Sequence, residues 1–133
     1  MTSTRLRAAL AILATIACVS GTASCGSKQS KEEDAKTTVE TFLKGVREKN
    51  GKLACSVLSK KSIKGIEGTG YNCPTAFNKV GAELAPQVKG FALGTVVVRG
   101  DTATVEVKKA GKLVQPFRLI RESGKWKLAQ QGG

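Results

Sequence analysis

Four cysteines, no histidine and a single tyrosine bound the chemistry open to this 133-residue chain. Cys25 is the cysteine whose surroundings specify a reaction. Arg5 and Arg7 precede an apolar run from Ala8 to Ala17, Thr22-Ala23-Ser24 set small residues directly before Cys25, and Gly26-Ser27 follow it. That order, basic then apolar then small then cysteine, is the pattern of a secretory leader ending on an acyl-accepting thiol. Cys18, after Thr15-Ile16-Ala17, is the rival acceptor, with a shorter apolar core and no polar start behind it. The apolar run breaks up at Ser20-Gly21-Thr22, short of the roughly 20 residues a membrane span needs, which favours a cleaved leader over a retained anchor. A diacylglyceryl group brings two buried chains, enough for stable anchoring. The predicted organisation is a leader over 1–24, a lipidated Cys25 with a flexible tether over 25–32, and one domain over 33–133, extracytoplasmic and lipid-anchored to the cell membrane.

Cys55 and Cys73 remain, 18 positions apart. In an exported domain two cysteines most simply form a disulfide. A redox-active pair would normally be a close Cys-x-x-Cys, which this spacing is not. Two thiols without histidine do not furnish a usual zinc ligand set, so neither a metal nor a cofactor is expected. For acid-base chemistry the strand-borne candidates are Glu106 and Glu122. Alternation places Glu106 with Thr104 and Lys108 on the wet side of its strand, where a surface charge is the ordinary reading.

The composition carries 22 Lys and Arg against 10 Asp and Glu, a net charge of +12. Only Arg5 and Arg7 leave with the leader, so the surplus belongs to the domain and favours anionic partners. Export and the lack of interleaved aromatic and basic residues argue against nucleic acid. Anionic lipid or wall polymer is the better partner. Yet the positives are dispersed in short clusters, Lys60-Lys61-Lys64, Lys108-Lys109-Lys112 and Lys125-Lys127, and dispersed lysines commonly do no more than solvate a surface.

The elements that must position these residues fall into two halves. Val39, Phe42, Leu43 and Val46 recur at helical spacing after acidic Glu32-Glu33-Asp34, and Asn50-Gly51 stops that helix. Leu53, Ala54, Val57 and Leu58 suggest a second, short helix, and the glycines at 65, 68 and 70 mark 65–71 as a loop. A third helix is predicted from Cys73-Pro74 through Phe77, Val80 and Leu84 to Pro86. Four runs of β-formers follow, at 91–99, 102–109, 113–121 and 125–130, separated by short turns bearing Gly100, Gly111 and Gly124. Such turns imply an antiparallel meander. Ala103, Val105 and Val107 form one apolar face, Phe117, Leu119, Trp126 and Leu128 extend it, and Pro116 marks an edge or a bulge. The strand over 91–99 reads as apolar on both faces, as a central strand would.

Helices first and a curved antiparallel sheet second is an α+β order. With Val39-Glu40-Thr41-Phe42-Leu43-Lys44-Gly45-Val46 leading to Asn50-Gly51-Lys52-Leu53-Ala54-Cys55, then Gly100-Asp101-Thr102-Ala103-Thr104-Val105 and Arg118 to Leu128, the chain resembles the NTF2-like (SnoaL-like, cystatin-like cone) superfamily, in the form borne by small actinobacterial lipoproteins. The resemblance spans roughly residues 33 to 130. It implies helices folded onto the concave face of the sheet around a cone-shaped cavity, for which Phe42, Val46, Val105, Phe117 and Trp126 are the candidate lining. Enzymes of that superfamily place Asp, His and Tyr in the cavity. Here His is absent, and Asp34 and Asp101 fall at a helix start and in a turn, so no catalytic residue carries over. Three roles follow as expectations: a non-catalytic binding module, a small isomerase, dehydratase or hydrolase using an acid such as Glu106, and a scaffold that dimerises through the outer face of its sheet.

Overall fold

A computed structural model describes residues 28–130; the leader expected over 1–24, Cys25 and the last three residues lie outside the described residues. The first helix, α1 (Lys28–Arg47), exists because Ala35, Val39, Leu43 and Val46 fall on one stripe and all four are buried. It begins four residues before Glu32, since Lys28-Gln29-Ser30-Lys31 contains nothing that opposes a helix. The tether expected over 25–32 is therefore helical from Lys28 onward.

After α1 the chain folds back on itself as α2 (Gly51–Ser56), capped by Asn50, whose Oδ1 accepts from the Leu53 amide at 3.0 Å. Gly45 allows the two helices to touch backbone to backbone. A Cβ there would stand 2.5 Å from the Ala54 nitrogen, so the glycine is kept in a helix interior despite its poor propensity.

The segment expected as a loop over 65–71 is helical for its first three residues. It belongs to α3 (Lys60–Glu67), and only the turn beyond Glu67 is irregular. Two contacts nucleate α3 in spite of Gly65. Ser59 Oγ accepts from the Ser62 amide at 3.1 Å, and the Glu122 carboxylate accepts from the Lys60 amide at 3.2 Å. The fourth helix, α4 (Cys73–Val88), starts as predicted, with Asn72 as cap and Pro74 in the first turn. It runs two residues past Pro86. Proline there sits in the exposed last turn, while Val88 is buried and holds the helix end against the core.

The second half is the meander β1 (Phe91–Arg99), β2 (Thr102–Lys109), β3 (Lys112–Glu122) and β4 (Lys125–Leu128), all antiparallel and adjacent in chain order. Ala110-Gly111 and Ser123-Gly124 turn two of the corners with positive φ at both residues, the geometry that matches the twist of the flanking strands. β1 is an edge strand and not a central one. Its register slips between Leu93 and Val96, so Phe91, Leu93, Val96 and Val98 all pack toward the core and Val97 alone of these apolar residues is exposed. A second slip, where Val105 faces Phe117 but Val107 faces Val114, places Gln115 and Pro116 in a bulge of β3.

Ala103, Val105, Leu119 and Leu128 from the sheet meet the α1 stripe to make the core, with Trp126 capping one end under the Arg121 guanidinium, 4.6 Å from its ring. The Arg121 Nε and the Trp126 indole N–H find no hydrogen-bond partner among the described residues.

Cys55 of α2 and Cys73 of α4 are joined in a disulfide, and both are buried. The bridge encloses α3 and its turn. For a loop of 18 residues the chain-entropy model gives about 3 kcal/mol, a large share of the stability of a small domain. Replacing both cysteines by alanine is expected to lower denaturant stability by roughly that amount, about 3 kcal/mol. Thiol labelling of the unreduced, unfolded protein checks the premise: Cys55 and Cys73 should be unreactive until a reductant is added.

Candidate functional site

Three phenylalanines from three elements meet at the open end of the cone. Phe42 of α1 stands edge-on to Phe77 of α4 at 5.8 Å and to Phe117 of β3 at 5.7 Å. Edge-to-face rings pack tightly against one another and still expose their outer edges. Those edges, with Leu58, Ile66 and Leu128, line an open apolar pocket of about 340 Å³. No ionisable side chain is in its wall. The volume lies toward the small end of ligand sites, which run from about 300 to 1,000 Å³.

The start of α3 is tied to the end of β4, and side chains of both elements line the pocket. Ser59 N–H donates to the Leu128 carbonyl at 2.8 Å and Leu128 N–H donates to the Val57 carbonyl at 2.8 Å, so one short parallel bridge holds the start of α3 to the end of the sheet. Ser62 Oγ adds a bond to the same Leu128 oxygen at 3.0 Å and lies 2.8 Å from Ser59 Oγ. Thr69 Oγ1 donates to the Ile66 carbonyl at 2.6 Å. Both wall hydroxyls thus spend their protons on the protein. The remaining polar group is Gln130 at the mouth, whose carboxamide oxygen lies 3.3 Å from where a Cβ on Gly65 would be.

Of the five side chains expected to line a cavity, Phe42 and Phe117 stand in this wall. Val46 and Val105 lie where α1 packs directly on the sheet, and no space is left beside them. Trp126 sits apart from the pocket and lines a different hollow with Asp34, Thr37 and Thr38. The residues the sequence did not single out are Leu58, Ile66, Phe77, Leu128 and Gln130. Phe77 is visible in the sequence only as an apolar position at helical spacing, which places it on a buried face and does not say what it meets there, and Ile66 falls in the segment expected as a loop.

The acids stand elsewhere. Glu106 is on the outer face of β2, beneath Gly94 at the β1 bulge, with its Cβ 3.2 Å from where a Gly94 Cβ would be. Glu122 caps α3. Tyr71 is 46% exposed, and the Lys79 ammonium lies 4.2 Å over its ring. A larger hollow of about 610 Å³ opens between α1 and β1, but Lys36, Glu40, Lys44, Arg47 and Glu48 rim it with charges that face water. Among the described residues no group of three His, Cys, Asp or Glu side chains could hold a metal, and no helix is long and apolar enough to cross a membrane.

No family model matches the chain, and no curated protein matches it. Solved structures do. One, from Campylobacter jejuni and provisionally named an NTF2-like transpeptidase, superposes with a TM-score of 0.53 at 16% identity, covering 72% of this chain and 97% of that one. Another, from Streptomyces avermitilis and provisionally named a dehydratase of the NTF2-like family, gives 0.48 at 15% identity over 77% and 94%. At such identities the likeness is one of fold. The domain has the NTF2-like fold, helices followed by a four-stranded antiparallel sheet.

Ser62→Ala should loosen the pocket wall selectively. It removes the hydroxyl shared between Ser59 and Leu128 and is expected to cost about 1 to 2 kcal/mol in denaturant unfolding. Hydrogen exchange checks where: amides of α3 should exchange faster while those of α1 and α4 do not change.

Proposed function

We propose that this chain is a lipid-anchored extracytoplasmic protein whose NTF2-like domain holds an apolar small molecule without transforming it. The observation that carries the reading is the pocket itself: three aromatic edges and three aliphatic side chains around about 340 Å³, with no ionisable group in the wall. Acid-base catalysis needs a positioned proton acceptor within hydrogen-bond reach of the substrate. Glu106 and Glu122, on the outer face of the sheet and at the start of α3, do not supply one to this pocket. Binding by burial draws on roughly 25 cal/mol per Å² of apolar surface and responds weakly to salt.

The neutral fluorescent probe N-phenyl-1-naphthylamine is expected to bind with an affinity that does not change with ionic strength. Gly65→Leu should abolish that binding without unfolding the domain. The added Cβ meets only the flexible Gln130 side chain, at 3.3 to 3.6 Å, and leucine is a better helix former than glycine. Undiminished probe binding in that variant, with the fold intact, would place the ligand elsewhere.

Anchoring is supported by the order of the leader and by the short reach that follows it. Cys25 is three residues before α1, so a lipid on it would be held within about 11 Å of the helix start. Cys25→Ser should move the protein from the membrane fraction to the soluble one or stall its processing. Retention of fatty-acid label in that variant, and its loss on Cys18→Ser instead, would shift the acceptor to Cys18.

A further inference from the structure

β4 is only four residues long, and past its end the outer face of the sheet holds a hollow of about 570 Å³. Thr102 pairs with Ile120 and Thr104 with Arg118, so these four side chains share one face, the face opposite Val105 and Phe117. The hollow is thus distinct from the phenylalanine pocket. Lys61 and Gln130 complete its wall, beside the Ala129 amide that donates to the Arg118 carbonyl at 2.9 Å. Charge in that wall is of one sign. Lys61 and Arg118 are its two ionisable side chains, and among the described residues neither makes a hydrogen bond or an ion pair. Two carboxylates share this face of the sheet, and both are engaged elsewhere. Glu106 lies toward β1, its Oε2 3.3 Å from where a Cβ on Gly94 would be, and Glu122 accepts from the Lys60 amide at 3.2 Å. Thr102 Oγ1 donates to the Arg99 carbonyl at 2.9 Å, whereas the Thr104 hydroxyl has no partner among the described residues and keeps its proton to donate.

Scattered lysines solvate a surface; two unpaired cations and a donor hydroxyl in one concavity, with no acid in its wall, are the complement of an anion. We infer that this hollow binds the phosphoryl group of a small phosphate monoester. The Arg118 guanidinium offers the planar fork that matches two phosphate oxygens, Lys61 supplies the second positive charge that a dianion requires, and Thr104 adds a neutral donor. The space exceeds a bare phosphate ion, so the ester body lies there too. Its apolar lining, Ala103, Leu119 and Ile120, contains no aromatic ring on which a base would stack, which selects a polyol or glyceride body over a nucleoside. A soluble polyol phosphate and the headgroup of a phosphatidic acid share this chemistry.

The test is titration of the purified, isotope-labelled full-length chain with glycerol phosphate, followed by amide resonances, with glycerol as the uncharged control. Saturable shifts are expected at Lys61, Thr104, Arg118 and Gln130, with a dissociation constant of about 1 mM that weakens as salt rises. Glycerol should shift none of them. Arg118→Gln and Lys61→Gln should each weaken binding by about three- to tenfold, the loss of one partly exposed ion pair, and Lys61→Arg should retain it. Both side chains are solvent-exposed, so resonances outside the hollow should stay in place and report an intact fold. Lys64→Gln, which removes an exposed lysine of α3 outside the hollow, should leave the affinity unchanged. Dibutyryl phosphatidic acid distinguishes the sources: tighter binding than glycerol phosphate assigns a lipid headgroup, and equal or weaker binding a soluble ester. Absence of saturable shifts, shifts centred instead on Arg47, Lys49 and Lys89, or equal weakening by Lys64→Gln overturns the site. None of those results touches the apolar pocket, whose own probe decides it.

Discussion

Leu128 is the joint between the two halves of this domain. Its amide donates to Val57, its carbonyl accepts from Ser59 and Ser62, and its side chain is buried in the core and in the pocket wall. Elsewhere the helices and the sheet meet chiefly through side chains. Here they share backbone hydrogen bonds, which are directional and do not slide. The consequence is a fixed stand-off. β4 ends at Leu128, the chain at 57–59 runs beside it, and α3 starts from that point, with its first amides taken by the Ser59 hydroxyl and the Glu122 carboxylate. The pocket is the space left beneath. A domain of this size would ordinarily be pressed to fill such a space, because it has little core to spare. The Cys55–Cys73 bridge offsets that need by closing the segment that carries α3.

The two ends of the cone are built on different terms. Where α1 lies flat on β2, Val39, Val46 and Val105 are buried and fully packed. Toward Phe117 the sheet bends at the Gln115-Pro116 bulge, and the next turn of α1 presents Phe42, a ring too large to lie flat against the strand. Phe77 then meets it from α4 edge-on. The outer edges of these rings, with Leu58, Ile66 and Leu128, line the apolar hollow at that end. The cationic surplus, by contrast, lies outside the core, where it solvates the fold.

Features with a local cause were legible in the sequence. The four strands came within a few residues of their predicted bounds because period-two alternation and two-residue turns are encoded by neighbours, as in Ala103, Val105 and Val107 or Ser123-Gly124. The pairing of Cys55 with Cys73 followed from there being no other plausible partner. Features with a tertiary cause were not. Three glycines mark 65–71 as a loop in the sequence, yet the helix extends through Gly65 to Glu67, and one of the contacts at its start is a carboxylate 62 residues away at Glu122. The faces of β1 depart from plain alternation because a bulge at Gly94-Thr95 shifts its phase, and the isolated Gly94 is its one local sign in the strand. For the site the same divide holds. Phe42 and Phe117 could be placed on inward faces, but whether an inward residue meets a neighbour or a cavity depends on what crosses above it, as Val46 and Val105 illustrate.

The proposed binding site is the Phe42–Phe77–Phe117 end of the cone, and a titration of the isotope-labelled protein with decanol, followed by nuclear magnetic resonance, tests it. The account predicts shifts concentrated on Leu58, Ile66, Phe77, Phe117 and Leu128, with ring-current changes on the three phenylalanines and none along Lys36, Lys44 and Arg47. Shifts centred on the hollow between α1 and β1, or spread evenly over the surface with those five residues unmoved, would contradict it.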